Sequence, residues 1–154
     1  MAIQCILSPR QPATAEWILN KSLVSIGNGY FLSGATGNAG LQENTLNSVI
    51  YGHIIFNSGS AGSRFYGLYI YGYQPYIQSG YSGNINFEDT YMMGTYENAT
   101  YSNITFRKCF FNGNAYWYIS GTPTYTNITI ENCIVGGAVI LNPDVASNNF
   151  TLRN

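Results

Sequence analysis

The sequence predicts an all-β chain built as a solenoid of short parallel strands, and three observations carry that prediction. The stretch YSNITFRKCFFNG at 101–113 returns as YTNITIENCIVGG at 125–137, an offset of 24 residues, with Tyr, Asn, Ile, Thr, Cys and Gly matching. Within each copy apolar and polar residues alternate: Ile104 and Phe106 flank Thr105, and Ile128 and Ile130 flank Thr129. A period of two marks a half-buried strand. Between the copies no helical pattern appears, and the phase of the alternation is kept. A hairpin sheet needs tight turns and would not preserve one phase. Identical phase implies parallel neighbours, with each circuit of strands and turns laying its equivalent strand on the one below, about 4.8 Å away.

Taken in chain order, residues 1–21 are expected to form a capping or anchoring segment, and 22–154 the repeat itself. Pro12 followed by ATAEWILNK reads as a short helix or amphipathic segment able to cover the first coil. SLVSIGNGYFL (22–32) and VIYGHIIF (49–56) fit the repeat loosely, and GLYIYGY (67–73) fits with Leu68 as its anchor. The last four rungs are sharper: NINFEDTYMMG (84–94), NITFRKCFFNG (103–113), NITIENCIVGG (127–137) and NFTLRN (149–154), anchored on Ile85, Ile104, Ile128 and Phe150. Their spacings of 19, 24 and 22 residues place the length variation in NAYWYISGTPT and AVILNPDVAS, so loops differ while rungs persist. The whole amounts to about six to seven coils. The chain stops at FTLRN in mid-rung, an edge expected either to be covered by another subunit or to fold against the base of an oligomer.

Equivalent positions form columns. Asn84, Asn103, Asn127 and Asn149 precede the anchors, where Asn side chains can bond turn backbone or form a ladder. Gly94, Gly113 and Gly137 follow them by nine residues, suggesting a bend with unusual backbone angles. Thr90, Cys109 and Cys133 make a third column. The two cysteines are readable as a disulfide, a metal site or a reactive thiol. The simpler reading is small, buried apolar residues inside a corner, at a neighbour distance that would permit a disulfide. Three cysteines in all are too few for a disulfide framework, and suggest synthesis in a reducing compartment. The five glycosylation-type triplets at Asn20, Asn98, Asn103, Asn127 and Asn149 read as by-products of the N-I-T repeat.

On NITFRKCFFNG and NITIENCIVGG the chain resembles the right-handed parallel β-helix superfamily, the pectate-lyase-like group that includes polysaccharide lyases, pectin hydrolases and bacteriophage tailspikes. Right-handedness is implied by that resemblance alone.

Composition excludes several classes. With 6 basic and 7 acidic residues there is no basic cluster for nucleic acid. No apolar run approaches a membrane span, and the N-terminus lacks the pattern of a signal peptide. No cofactor or metal is implied. Three residues past the anchors lie Glu88, Arg107, Glu131 and Arg153, with Asp89 following Glu88. In an enzyme, Glu88, Asp89, Arg107 and Glu131 would line a polysaccharide cleft, carboxylates acting as acid and base. Strict alternation of sign favours an outward ion-pair ladder instead. The single His53 could act as an acid or base but lacks a carboxylate in its own rung, and reads as a partly buried structural or a surface residue.

Aromatics are in surplus, at 16% of the chain with 14 Tyr. Tyr69, Tyr71, Tyr73, Tyr76, Tyr116, Trp117 and Tyr118 are the candidate binding residues, for a protein interface ahead of a sugar. Low charge, surplus Tyr and the open last rung point to a non-catalytic part of an assembly. Similarity to viral β-helices implies a homotrimer in a bacteriophage or other virion, decorating a capsid or joining a tail and meeting other virion proteins. The alternative is a carbohydrate-binding or polysaccharide-cleaving β-helix, with an extracellular location.

Overall fold

A computed structural model describes residues 3–6, 17–27, 48–52, 54–71, 76–77, 83–92, 101–113, 115–117, 125–141 and 147–154. These residues contain strands and no helix, and every strand pairing is parallel. The largest sheet has seven strands, adjacent in chain order: β1 (Ile3–Ile6), β3 (Leu23–Ile26), β6 (Arg64–Tyr66), β9 (Ile85–Glu88), β11 (Tyr101–Arg107), β14 (Tyr125–Glu131) and β17 (Ser147–Arg153). A second sheet of five contains β4 (Val49–Tyr51), β7 (Tyr69–Tyr71), β10 (Tyr91–Met92), β12 (Phe110–Phe111) and β15 (Ile134–Val135). A sheet of three holds β2 (Trp17–Leu19), β5 (Ile54–Phe56) and β8 (Tyr76–Ile77), and a sheet of two holds β13 (Ala115–Trp117) and β16 (Val139–Leu141). From β6 onward the chain visits the first sheet, then the second, and returns to the first beside its previous strand.

The expected register of the last four rungs is observed: Ile104 lies opposite both Ile85 and Ile128, and Ile128 opposite Phe150. Inward side chains therefore stack on their own kind. Phe65, Phe87 and Phe106 form a continuous pile, with ring centroids 4.9 and 5.2 Å apart and planes within 17° and 8° of parallel. The pile touches the other sheets edge-on, through Phe56 against Phe65 at 5.7 Å and Phe111 against Phe106 at 5.3 Å. One apolar core thus joins three of the sheets, adding Ile50, Ile54, Leu68, Ile70 and Met92. Each fully buried aliphatic or aromatic side chain contributes about 1.5–3 kcal/mol. The Phe column continues through Ile130 to Leu152, which is exposed on the edge strand β17.

Tight corners lead from the first sheet to the second. Gly67, Asp89, Lys108 and Asn132 occupy equivalent positions with φ of 61°, 49°, 51° and 52°. One left-handed residue turns the chain, and a side chain there costs about 1–2 kcal/mol unless it is Gly, Asn or Asp. The corners keep the ladder intact: the N–H of Asp89 donates to Arg107 O, that of Lys108 to Glu131 O, and that of Asn132 to Arg153 O. Beside the first of these corners, on the preceding strand's rung, Gly27 is fixed by space. A Cβ there would lie 2.4 Å from Gly67 O.

Four expectations are corrected. Trp17–Leu19, expected inside a short N-terminal helix, is a strand paired with Ile54–Phe56; its preceding residues from 7 to 16 lie outside the described region. Leu68 is not an anchor. Tyr69 lies opposite Tyr91, so Leu68 sits in the column of Thr90 and Cys109, while the anchor position of that rung belongs to Ser63. Ser63 escapes an apolar pattern because its buried hydroxyl is satisfied, accepting from Leu23 N–H at 3.1 Å and donating to Ser60 O at 2.6 Å. VIYGHIIF is not one rung of the main sheet but two strands, β4 in the second sheet and β5 in the third, with His53 between them outside the described residues. Finally, the left-handed turn lies four residues past the anchor, and neither Gly113 nor Gly137 has positive φ; Gly94 is outside the described residues.

Candidate functional site

The outer face of the seven-stranded sheet carries the residues with catalytic potential. Period two turns Glu88, Arg107, Glu131 and Arg153 outward, and strand register lines them up side by side. Arg107 Nε donates to Glu131 Oε2 at 3.3 Å, and Arg153 approaches the same oxygen at 4.0 Å. Glu131 is thus shared between two guanidiniums. Glu88 neighbours Arg107 on the other side and Tyr66 across β6. Asp89 is exposed at its left-handed corner, next to Glu88 but off the column.

Glu88 and Glu131 lie two strand spacings apart, about 9–10 Å of backbone separation. A displacement by water between two carboxylates would need that gap open. Here the Arg107 strand occupies it, and its guanidinium is bonded to Glu131. A shallow polar depression of about 190 Å³ adjoins the column, lined by Arg64, Tyr66, Asn86, Glu88, Thr105 and Arg107. Among the described residues no group of three or more His, Cys, Asp or Glu is placed to hold a metal ion. No helix among them is long and apolar enough to cross a membrane.

Beside the anchors, Asn103 and Asn127 take φ of 58° and 56°, and Asn127 Nδ2 donates to Asn103 Oδ1 at 2.7 Å. The expected Asn ladder is present between these rungs. Asn is suited to both demands, tolerating the left-handed region and offering a donor and an acceptor.

The second outward feature is an aromatic array on the five-stranded sheet. Tyr69 and Tyr91 stack at 4.3 Å and 12°, Tyr91 and Phe110 at 5.2 Å and 10°, and Tyr69 and Tyr71 at 5.7 Å and 18°. Tyr51 meets Tyr71 at 5.3 Å in a T-shaped contact. Tyr69 and Tyr71 belong to the expected binding set. Tyr51, Tyr91 and Phe110 were not singled out, although the last two stand six residues past their anchors, in the position Tyr69 takes relative to Ser63. Of the other expected binding residues, Tyr76 lies in β8, and Tyr116 and Trp117 in β13, described by backbone alone; Tyr73 and Tyr118 are outside the described residues.

Ring orientation bears on which surfaces of this array are open. Tyr69, Tyr91 and Phe110, stacked across strands, spend faces on one another, whereas Tyr71 is exposed and meets Tyr51 edge-on. A sugar ring needs a free aromatic face, whereas a protein surface can use apolar edges and phenol hydroxyls. Partial burial and a hydrogen bond with Tyr91 push the Tyr69 phenol from 10.0 up to about 12.

Compared with known protein families, curated proteins and solved structures, the chain matches none.

Proposed function

We propose that the chain is a right-handed parallel β-helix, resembling the pectate-lyase-like and tailspike group, that serves as a non-catalytic structural component of a virus particle. In this reading the parallel sheets are the walls of a solenoid of about six to seven coils. It works through its surfaces, as a homotrimer that decorates a capsid or forms part of a tail. One observation carries the non-catalytic reading: central members of the outward columns pair with their neighbours. Glu131 is taken up by Arg107 and Arg153, and the faces of Tyr69 and Tyr91 are taken up by stacking. What is left outward is a rigid ribbon of ring edges and balanced charge, a surface suited to a partner protein.

The competing reading, a β-helix that binds or cleaves polysaccharide, is favoured by the polar depression beside Glu88, where two arginines flank a carboxylate. Light scattering across a dilution series, followed by a polysaccharide panel, separates the two. A trimer that persists on dilution and lacks turnover is expected. A stable monomer whose polysaccharide cleavage disappears in Glu88→Ala, with the fold retained, would overturn the proposal.

A further inference from the structure

The column of Thr90, Cys109 and Cys133 lies just inside the left-handed corners. Register on either side, Arg107 opposite Glu131 and Phe110 opposite Ile134, places Cys109 directly opposite Cys133. Parallel neighbours are about 4.8 Å apart, inside the Cα separation of about 4.4–6.8 Å that a disulfide spans. The Cys133 side chain is directed toward Cys109, whose own thiol donates to Phe87 O at 3.5 Å on the preceding rung. Cys133 Sγ accepts from Cys109 N–H at 3.3 Å and donates to Phe106 O at 3.5 Å, so it lies against the Cys109 rung. Both sulfurs are free.

The two thiols differ in a way that sets an order of reaction. Cys109 is 1% exposed, whereas Cys133 is only partly buried at the rim of the core. Burial pushes the Cys109 thiol up, while the hydrogen bond from Cys109 pulls the Cys133 thiol down. The accessible sulfur is therefore the better nucleophile, and the inaccessible one stands behind it.

We infer that Cys133 and Cys109 form a thiol–disulfide exchange site, in which a small-molecule disulfide oxidises the stacked pair to a disulfide joining successive rungs. Cys133 Sγ gives up its proton and attacks one sulfur of the oxidant, whose S–S bond breaks to release one thiolate. Cys109 then loses its proton, and its sulfur attacks Cys133 Sγ and expels the second thiolate. The protein loses two protons and two electrons, and the oxidant becomes two thiols. The product ties the β11–β12 corner to the β14–β15 corner. This inference depends on local register and is independent of the proposed place in a virion.

Serine variants keep the corner intact, because Thr90 already fills the equivalent position with a hydroxyl that donates to Glu88 O at 3.0 Å, as Cys109 donates to Arg107 O at 3.4 Å. The folded protein, carrying Cys5→Ser, is treated with glutathione disulfide and followed by intact mass, peptide mapping and thermal melting. The pair is expected to lose two hydrogens without retaining glutathione. Closing a loop of about 25 residues raises the melting temperature by roughly 10 °C, reversibly with dithiothreitol. Adding Cys109→Ser traps glutathione on Cys133, and adding Cys133→Ser leaves Cys109 unmodified over the same time. Glutathione retained on Cys133 with Cys109 present, a pair left reduced, or a disulfide formed only in denaturant would each overturn the inference.

Discussion

Reversing one charge in the outer column, Arg107→Glu, tests whether that column is a ladder. Arg107 lies 3.3 Å from Glu131 and in register with Glu88, with its own side chain 46% exposed and that of Glu131 26% exposed. Losing an exposed pair costs about 0.2–1 kcal/mol. Reversal also places like charges opposite each other on both sides, at a further 0.2–1 kcal/mol or so for each neighbour. The expected loss is about 1.5 kcal/mol, or a melting temperature lower by roughly 3–6 °C for a domain of this length. Arg107→Gln, which removes attraction without adding repulsion, should lose only about a third of that. Urea unfolding at low salt and at half-molar salt separates charge from packing, because the Debye length then falls below about 5 Å. Equal losses for the two variants, unchanged by salt, would refute the ladder and assign Arg107 a packing role instead.

Other perturbations follow from the same geometry. Phe87→Ala removes the middle ring of the Phe65–Phe87–Phe106 pile and should cost about 3–5 kcal/mol in chemical denaturation; a loss below about 1 kcal/mol would contradict a continuous core. Asn103→Gly keeps the left-handed backbone and loses the bond to Asn127, whereas Asn103→Ala loses both, so Ala should be less stable than Gly by about 1 kcal/mol. The buried Ser25 hydroxyl has no hydrogen-bond partner among the described residues, so Ser25→Ala should leave stability unchanged or raise it by up to about 1 kcal/mol. Tyr69, raised to about 12, favours the folded state fully below the ordinary phenol value of 10.0 and loses that contribution as pH rises toward 12. Ultraviolet phenolate titration should show one late-titrating tyrosine that disappears in Tyr69→Phe.

Within the last four rungs, pairing was legible because each rung repeats one short phase. Ile85, Ile104, Ile128 and Phe150 had to align if their Asn and charge columns were to align, and the strands do pair in that register. The alternating column and the small residues of the corner followed from the same phase. Upstream the repeat is less legible, since an inward Ser63 satisfied by hydrogen bonds carries no apolar signal and Leu68 mimics an anchor one sheet too late.

The sequence by itself determined strand periodicity, parallel order and the sign pattern of the outer column, all of which are local or repeat at nearly constant spacing. Only the tertiary structure decided which strand joins which sheet, because parallel pairing is a long-range choice that loops of different length conceal. It also made Trp17–Leu19 a strand by pairing it with Ile54–Phe56, where a short capping helix was one expectation. The packing of the tyrosines was likewise invisible in composition: Tyr91 is held face-to-face between Tyr69 and Phe110, an orientation that exists only once the strands are stacked.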